Sequence, residues 1–322
     1  MVRDVRASGW LLGLLLFAGL CFVVVRLTEV ERWVALARDA RPGWLFVALV
    51  MQAATYLCVA VVWRATLVAT RTAVPMRTLI GLSIAKLYAD QVLPSGGVSG
   101  GAFVVSALRA LGVDRSIALT VLLVMTLGYY AAYLAATVAC LLLLWLYHRL
   151  EVWMLLVASV FSVVAVVIPA ALLWARGRAR SERLQRVLPK RFAALLTGFA
   201  EVSIGVVEQP RLLLLSTALQ ASIFALDAGT LWAALHAVGV DGSFWVALPS
   251  LVLASIVTTI GPVPLGLGTF EATAVGTLVA LGTPLQAALA ATLLLRGFTV
   301  WLPMLPGLYL ARRGLRPIAG AA

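Results

Sequence analysis

The sequence predicts an all-α integral membrane protein, and three observations carry that prediction. Of 322 residues, 63% are hydrophobic and 12% charged, where soluble domains run at roughly 45–50% and about 25%. Mean hydropathy is +1.04. Apolar segments recur between positions 10 and 310, separated by short loops that carry arginine. Together these exclude a soluble enzyme, a disordered tail and a secreted disulfide scaffold, and leave no room among the apolar segments for a soluble catalytic domain. Lys+Arg number 25 against 13 Asp+Glu. The excess sits in the loops, so it reads as an orientation signal and not as a nucleic-acid footprint.

Arg3 and Arg6 precede an apolar stretch at 10–25 with no small-x-small cleavage site after it, so 10–26 is expected to remain as a first spanning helix. Further spans are expected at 43–63, 116–146, 152–174, 212–238 and 285–310, six in all. Each approaches or exceeds the roughly 20 apolar residues that a bilayer requires. The stretch 116–146 is long enough to tilt or to extend beyond the hydrocarbon. Regions 78–112 and 244–282 are apolar but interrupted by Pro and Gly, and 192–207, which carries Glu201, reads as an interfacial helix.

Loop charge sets the sides. Segment 176–191 holds six arginines and Lys190 against Glu182 alone, which makes the 175–191 loop cytoplasmic and a candidate contact for anionic lipid. Counting outward, 64–77 and 109–115 are cytoplasmic, so the broken region 78–112 enters and leaves by one face. The region 244–282 does the same from outside, and Arg312, Arg313 and Arg316 return the C-terminus to the cytoplasm.

An internal repeat accompanies this pattern. At an offset of 170, positions 94–123 meet 264–293 with 11 identities in 30, among them Pro94/Pro264, Gly96/Gly266 and Ala110-Leu111-Gly112/Ala280-Leu281-Gly282. Repeat 1 covers about 43–146 and repeat 2 about 212–316. An odd number of crossings separates them, so the copies are inverted and their broken hairpins dip from opposite faces, an architecture that places a site near the midplane.

The hairpins turn at Leu93-Pro94-Ser95-Gly96-Gly97-Val98-Ser99-Gly100-Gly101 and at Gly261-Pro262-Val263-Pro264-Leu265-Gly266-Leu267-Gly268-Thr269. Proline stops each entering helix and glycine permits the reversal. Ser99 and Thr269 then stand where they could N-cap the returning helices, whose free N–H groups suit an anion such as a phosphodiester. Glu271 and Arg296 fall deep in apolar segments. Each costs roughly 2.5–3.5 kcal/mol at the bilayer centre, which an ion pair between them would offset. Lys86 and Asp90 form a candidate i,i+4 pair near the first tip. Asp227 lies mid-span without an evident partner and is a candidate for proton coupling. Cys21, Cys58 and Cys140 sit in apolar runs as packing residues, and His148 and His236 have no second ligand nearby, so no metal or other cofactor is expected. Tyr129, Tyr130 and Tyr133 read as packing between helices.

At Gly266-x-Gly268-x-x-Glu271, with Ala280-Leu281-Gly282 and Arg296 after it and the Leu-Pro-x-x-Gly turn at 93–97 before it, the sequence resembles the lysylphosphatidylglycerol synthase/flippase transmembrane-domain family. It is most similar to the family's stand-alone, flippase-like bacterial proteins. Members with a fused soluble domain make and flip aminoacylated phosphatidylglycerol, so the resemblance implies lipid translocation without synthesis, in the bacterial cytoplasmic membrane. Gly101 stands opposite Glu271 in the repeat, and Met125-Thr126 stand where the family carries charge, so the first half-site is the less polar one. The expected function is therefore flipping of an anionic or aminoacylated lipid by a non-enzyme whose partners are membrane lipids. Residues 86, 90, 95–97, 99, 227, 266, 268, 269, 271 and 296 would bind or gate the headgroup. Alternatives are an accessory protein for a lipid-modifying enzyme or a glycosyltransferase of polyprenyl-linked glycans, and a proton-coupled carrier of a small solute.

Overall fold

The computed structural model describes residues 35–36, 38–92, 98–178, 204–261 and 266–314. The expected first span at 10–26, the body of the basic loop, Glu201, and the tip residues 93–97 and 262–265 lie outside the described residues; Ser95, Gly96 and Gly97 are among them.

Every regular element among the described residues is helical. In chain order these are α1 (Pro42–Ala69), α2 (Met76–Val92), α3 (Val98–Ala110), α4 (Arg115–Leu146), α5 (Val152–Arg178), the single turn α6 (Ile204–Val207), α7 (Pro210–Ala237), α8 (Phe244–Ile260), α9 (Thr269–Ala280), α10 (Leu285–Arg296) and, after a π-helical turn at Gly297–Trp301, α11 (Leu302–Gly314). Five runs are long and apolar enough to cross a membrane: Pro42–Ala69, Arg115–Leu146, Val152–Trp174, Pro210–Ala237 and Leu285–Leu310. They coincide with five of the six expected spans. α4, with 32 residues, is about 48 Å long at roughly 1.5 Å per residue, well beyond a hydrocarbon core of roughly 30 Å.

Local sequence sets the ends of these helices. Pro42 and Pro210 open α1 and α7 in the first turn, where a missing N–H leaves no carbonyl unpaired. Ser243 caps α8, its side chain accepting from the Trp245 N–H at 3.3 Å. α3 and α9 end alike: Gly112 and Gly282 take φ of 84° and 96°, and the N–H groups of Val113 and Thr283 bond back to the carbonyls of Leu108 and Leu278 at 3.1 and 2.9 Å. A left-handed glycine just past the helix satisfies its last carbonyls in this way.

α7 sits at the centre, packed along α1 and also against α4, α8 and α10. Close approach, rather than escape from water, holds such helices together in lipid. Gly128 of α4 faces Ser216 of α7, whose hydroxyl donates to the Val124 carbonyl at 3.2 Å. Tyr133 is fully buried and packs on Phe161 and Phe224 with ring centroids 4.1 and 4.6 Å away, the interhelical role expected of the tyrosine cluster. α5 lies outermost, with Leu156 62% and Val163 63% exposed. A belt of that kind is a liability in water and a match for acyl chains.

Two hairpins flank this core, α2 packed on α3 and α8 packed on α9; α2 also packs on α11, and α8 on α4. Helix bounds recur along the chain. Pro210 follows Pro42 and Phe244 follows Met76 by 168 residues, while Ala280 follows Ala110 and Leu285 follows Arg115 by 170. The net two additional residues arise because the second hairpin's connection, 261–268, is three residues longer than 93–97 while α9 is one residue shorter than α3. α2 and α3 have 17 and 13 residues, or about 25 and 20 Å, short of a full crossing.

Candidate functional site

The second hairpin brings its expected residues together. Gly268 is the N-cap of α9 with φ 79°, a left-handed conformation that costs an L-residue about 1–2 kcal/mol. Glu271, three positions later, turns back so that its Oε2 accepts from the Gly268 N–H at 2.7 Å. Its Oε1 lies 2.7 Å from Arg296 Nε, with the two side chains 17% and 12% exposed. That oxygen takes no well-aligned hydrogen bond, so the contact is a close ion pair. The guanidinium also lies over the Phe270 ring, 5.1 Å from its centroid, an arrangement that favours a desolvated cation. Gly268→Ala should lower stability by about 1–2 kcal/mol through backbone strain, read as a lower midpoint of thermal unfolding in detergent, with spectroscopic helix content unchanged at low temperature.

The first hairpin reaches a similar end by another route. Lys86 Nζ lies 2.6 Å from Asp90 Oδ2, the expected i,i+4 pair. Asp90 Oδ1 accepts from the Gly100 N–H at 2.8 Å, so a carboxylate from the entering helix caps the returning one. A Cβ on Gly100 would fall on that carboxylate.

These contacts correct the expected roles of Ser99 and Thr269. Neither is an N-cap. Thr269 is the first residue of α9, and its hydroxyl donates to the Gly266 carbonyl at 3.1 Å; Ser99 lies inside α3 and donates to the Ala89 carbonyl at 3.1 Å. The reason is electrostatic. A full carboxylate charge at a helix N-terminus outcompetes a neutral hydroxyl, and each hairpin carries one within reach. The N–H groups expected to await an anion thus already hold one of the protein's own.

Asp227 stands apart from both pairs. Its Oδ1 accepts from Gln52 Nε2 of α1 at 3.3 Å. The sequence reading missed Gln52, although an amide ten residues into an otherwise apolar span was a visible signal. It also missed Gly100, whose role depends on a neighbour that local sequence does not specify. The π-helical turn follows Arg296 directly and leads into α11, which carries Pro306 and packs on α2. The helix bearing the second hairpin's arginine therefore continues onto the first hairpin.

No curated protein shows significant sequence similarity to the chain. The family described as the lysylphosphatidylglycerol synthase TM region matches residues 10–307, and this multi-pass membrane protein, with its hairpin-borne ion pairs, belongs to that family.

Proposed function

We propose that the protein moves a polar-headed, anionic or aminoacylated lipid between the leaflets of the bacterial cytoplasmic membrane, as a carrier and not an enzyme. The observation that carries this reading is the pair of half-length hairpins, each with a carboxylate on the start of its returning helix and a cation on the carboxylate. Repeat 1 and repeat 2 are inverted copies, and the hairpins re-enter from opposite faces. Both termini are cytoplasmic. The headgroup passes between the tips while its acyl chains remain in lipid. Its phosphate replaces a carboxylate at Arg296 or Lys86, and an amine, where the lipid has one, takes up the released Glu271 or Asp90. Where the lipid carries an amine, such an exchange keeps every charge paired, which matters where an unpaired one costs several kcal/mol. A groove of about 360 Å³ lined by Arg64, Val68, Thr72 and Pro75 offers an exposed guanidinium beside apolar surface, chemistry that suits an arriving phospholipid.

Leaflet exchange of fluorescent phosphatidylglycerol in proteoliposomes tests the reading. Exchange above protein-free vesicles supports it. Rates equal to empty vesicles, across anionic, zwitterionic and polyprenyl lipids alike, would falsify it and favour an accessory role beside a lipid-modifying enzyme.

Topology is tested separately. In a cysteine-free background, Ala73→Cys and Asp114→Cys should react with an impermeant maleimide from the cytoplasmic side alone, and Asp241→Cys and Gln286→Cys from the external side alone. Labelling of position 73 or 114 from the same side as 241 removes the inverted arrangement.

A further inference from the structure

We infer that Asp227, Gln52 and Tyr56 form a binding site for a small monovalent metal cation such as Na⁺. Three acids of the described spans and hairpins lie among apolar helices, and two of them, Glu271 and Asp90, have a basic side chain at 2.7 and 2.6 Å. Asp227 has none among the described residues; the hydrogen bond it accepts comes from the neutral Gln52 amide. An ionised carboxylate at that depth requires a counter-charge.

On the facing helix stand oxygens that lack hydrogen-bond partners among the described residues. Gln52 is 6% exposed. Its Nε2 is used twice, toward Thr55 Oγ1 at 3.1 Å and toward Asp227 at 3.3 Å, while its Oε1 is buried with no hydrogen bond. The Tyr56 hydroxyl is likewise buried and unpartnered. Gln52 and Tyr56 are one helical turn apart on α1 and so share the helix face that Gln52 presents to Asp227. Buried polar atoms without partners are uncommon and call for an explanation. Two of them beside an uncompensated carboxylate amount to an all-oxygen donor set of net charge −1.

That chemistry selects the occupant. Hard cations take oxygen ligands, and softer metals prefer nitrogen or sulfur, which this cluster lacks. A monovalent ion brings the site to neutrality, whereas a divalent ion would leave a net positive charge in the hydrocarbon. The amide oxygen and the phenol are sealed from solvent, which admits a bare ion and not an organic ammonium. α1 and α7 supply all the ligands, and they are the most extensively packed pair in the fold. A cation there would brace the centre of the molecule whether or not lipid is moved.

The experiment uses the whole protein in detergent. Thermal unfolding is followed at constant ionic strength while NaCl or KCl replaces choline chloride. Stabilisation by mass action predicts a rise of about 4 °C as the metal ion approaches a hundredfold excess over its Kd. Asp227→Asn should lose that rise, and Glu271→Gln should keep it, which separates failure of this site from failure of the translocation reading. If Asp227→Asn does not fold, Gln52→Leu and Tyr56→Phe should each reduce equilibrium binding of radioactive sodium at least tenfold relative to wild type. Equal midpoints in sodium, potassium and choline salts overturn the proposal, as does a metal-ion shift that survives in Asp227→Asn.

Discussion

Glu271→Gln and Arg296→Ala are each expected to abolish leaflet exchange and to cost about 3–5 kcal/mol of stability, the range for breaking a buried pair from one side. The cost arises from the charge left behind more than from the lost attraction. With 12% and 17% exposure, neither side chain can rely on water to solvate it after its partner is gone. Glu271→Gln also weakens the anionic cap on the Gly268 N–H, so the start of α9 should loosen as well. The double variant Glu271→Gln/Arg296→Gln separates structure from function. Removing both charges should recover most of the stability, because no orphan remains, while exchange stays absent because nothing is left to trade with a headgroup. Full exchange by a well-folded double variant would show the pair to be a structural brace alone.

Gly100→Ala should have the next largest effect. The added methyl takes the space of the Asp90 carboxylate, so the carboxylate must leave both the Gly100 N–H and Lys86. Overpacking costs about 1–3 kcal/mol and loss of the cap about 1 kcal/mol more, which together give a drop of about 2–4 kcal/mol. Asp90→Ala alone should lose the cap without the clash. The combination Gly100→Ala/Asp90→Ala should then be clearly more stable than the sum of the single changes, since the clash disappears with the carboxylate. Strict additivity in thermal or denaturant unfolding would place Gly100 and Asp90 apart, contrary to the 2.8 Å bond between them.

Much of this molecule was legible from its residues. The apolar runs marked the described spans, because bilayer thickness fixes how many apolar residues a helix needs. Pro42, Pro210, Gly112 and Gly282 stand at helix ends for reasons local to the backbone, although the sequence reading did not single them out as such. Lys86 and Asp90 could be paired in advance because one helical turn brings i and i+4 together in any helix. Glu271 and Arg296 could be paired on energetic grounds, since each needed an opposite charge at the same depth and few were on offer.

Which donor meets which acceptor across helices was a different matter. Ser99 and Thr269 have the right chemistry and nearly the right positions to be caps, yet Asp90 and Glu271 take the N–H groups. A competition between side chains from different turns and helices is settled by distances that spacing along the chain does not contain. The same holds for Gln52 and Asp227, joined across 175 positions; the packing of α1 along α7 makes that contact, and close-fitting residues such as Gly229 against Met51 set that packing. The sequence by itself determined the helices, their ends and the charges buried among them, because each follows from a local geometric or solvation cost. Only the tertiary structure decided the partners, because ion pairing, capping and the orphaned oxygens beside Asp227 depend on which helix faces lie within about 3 Å of one another.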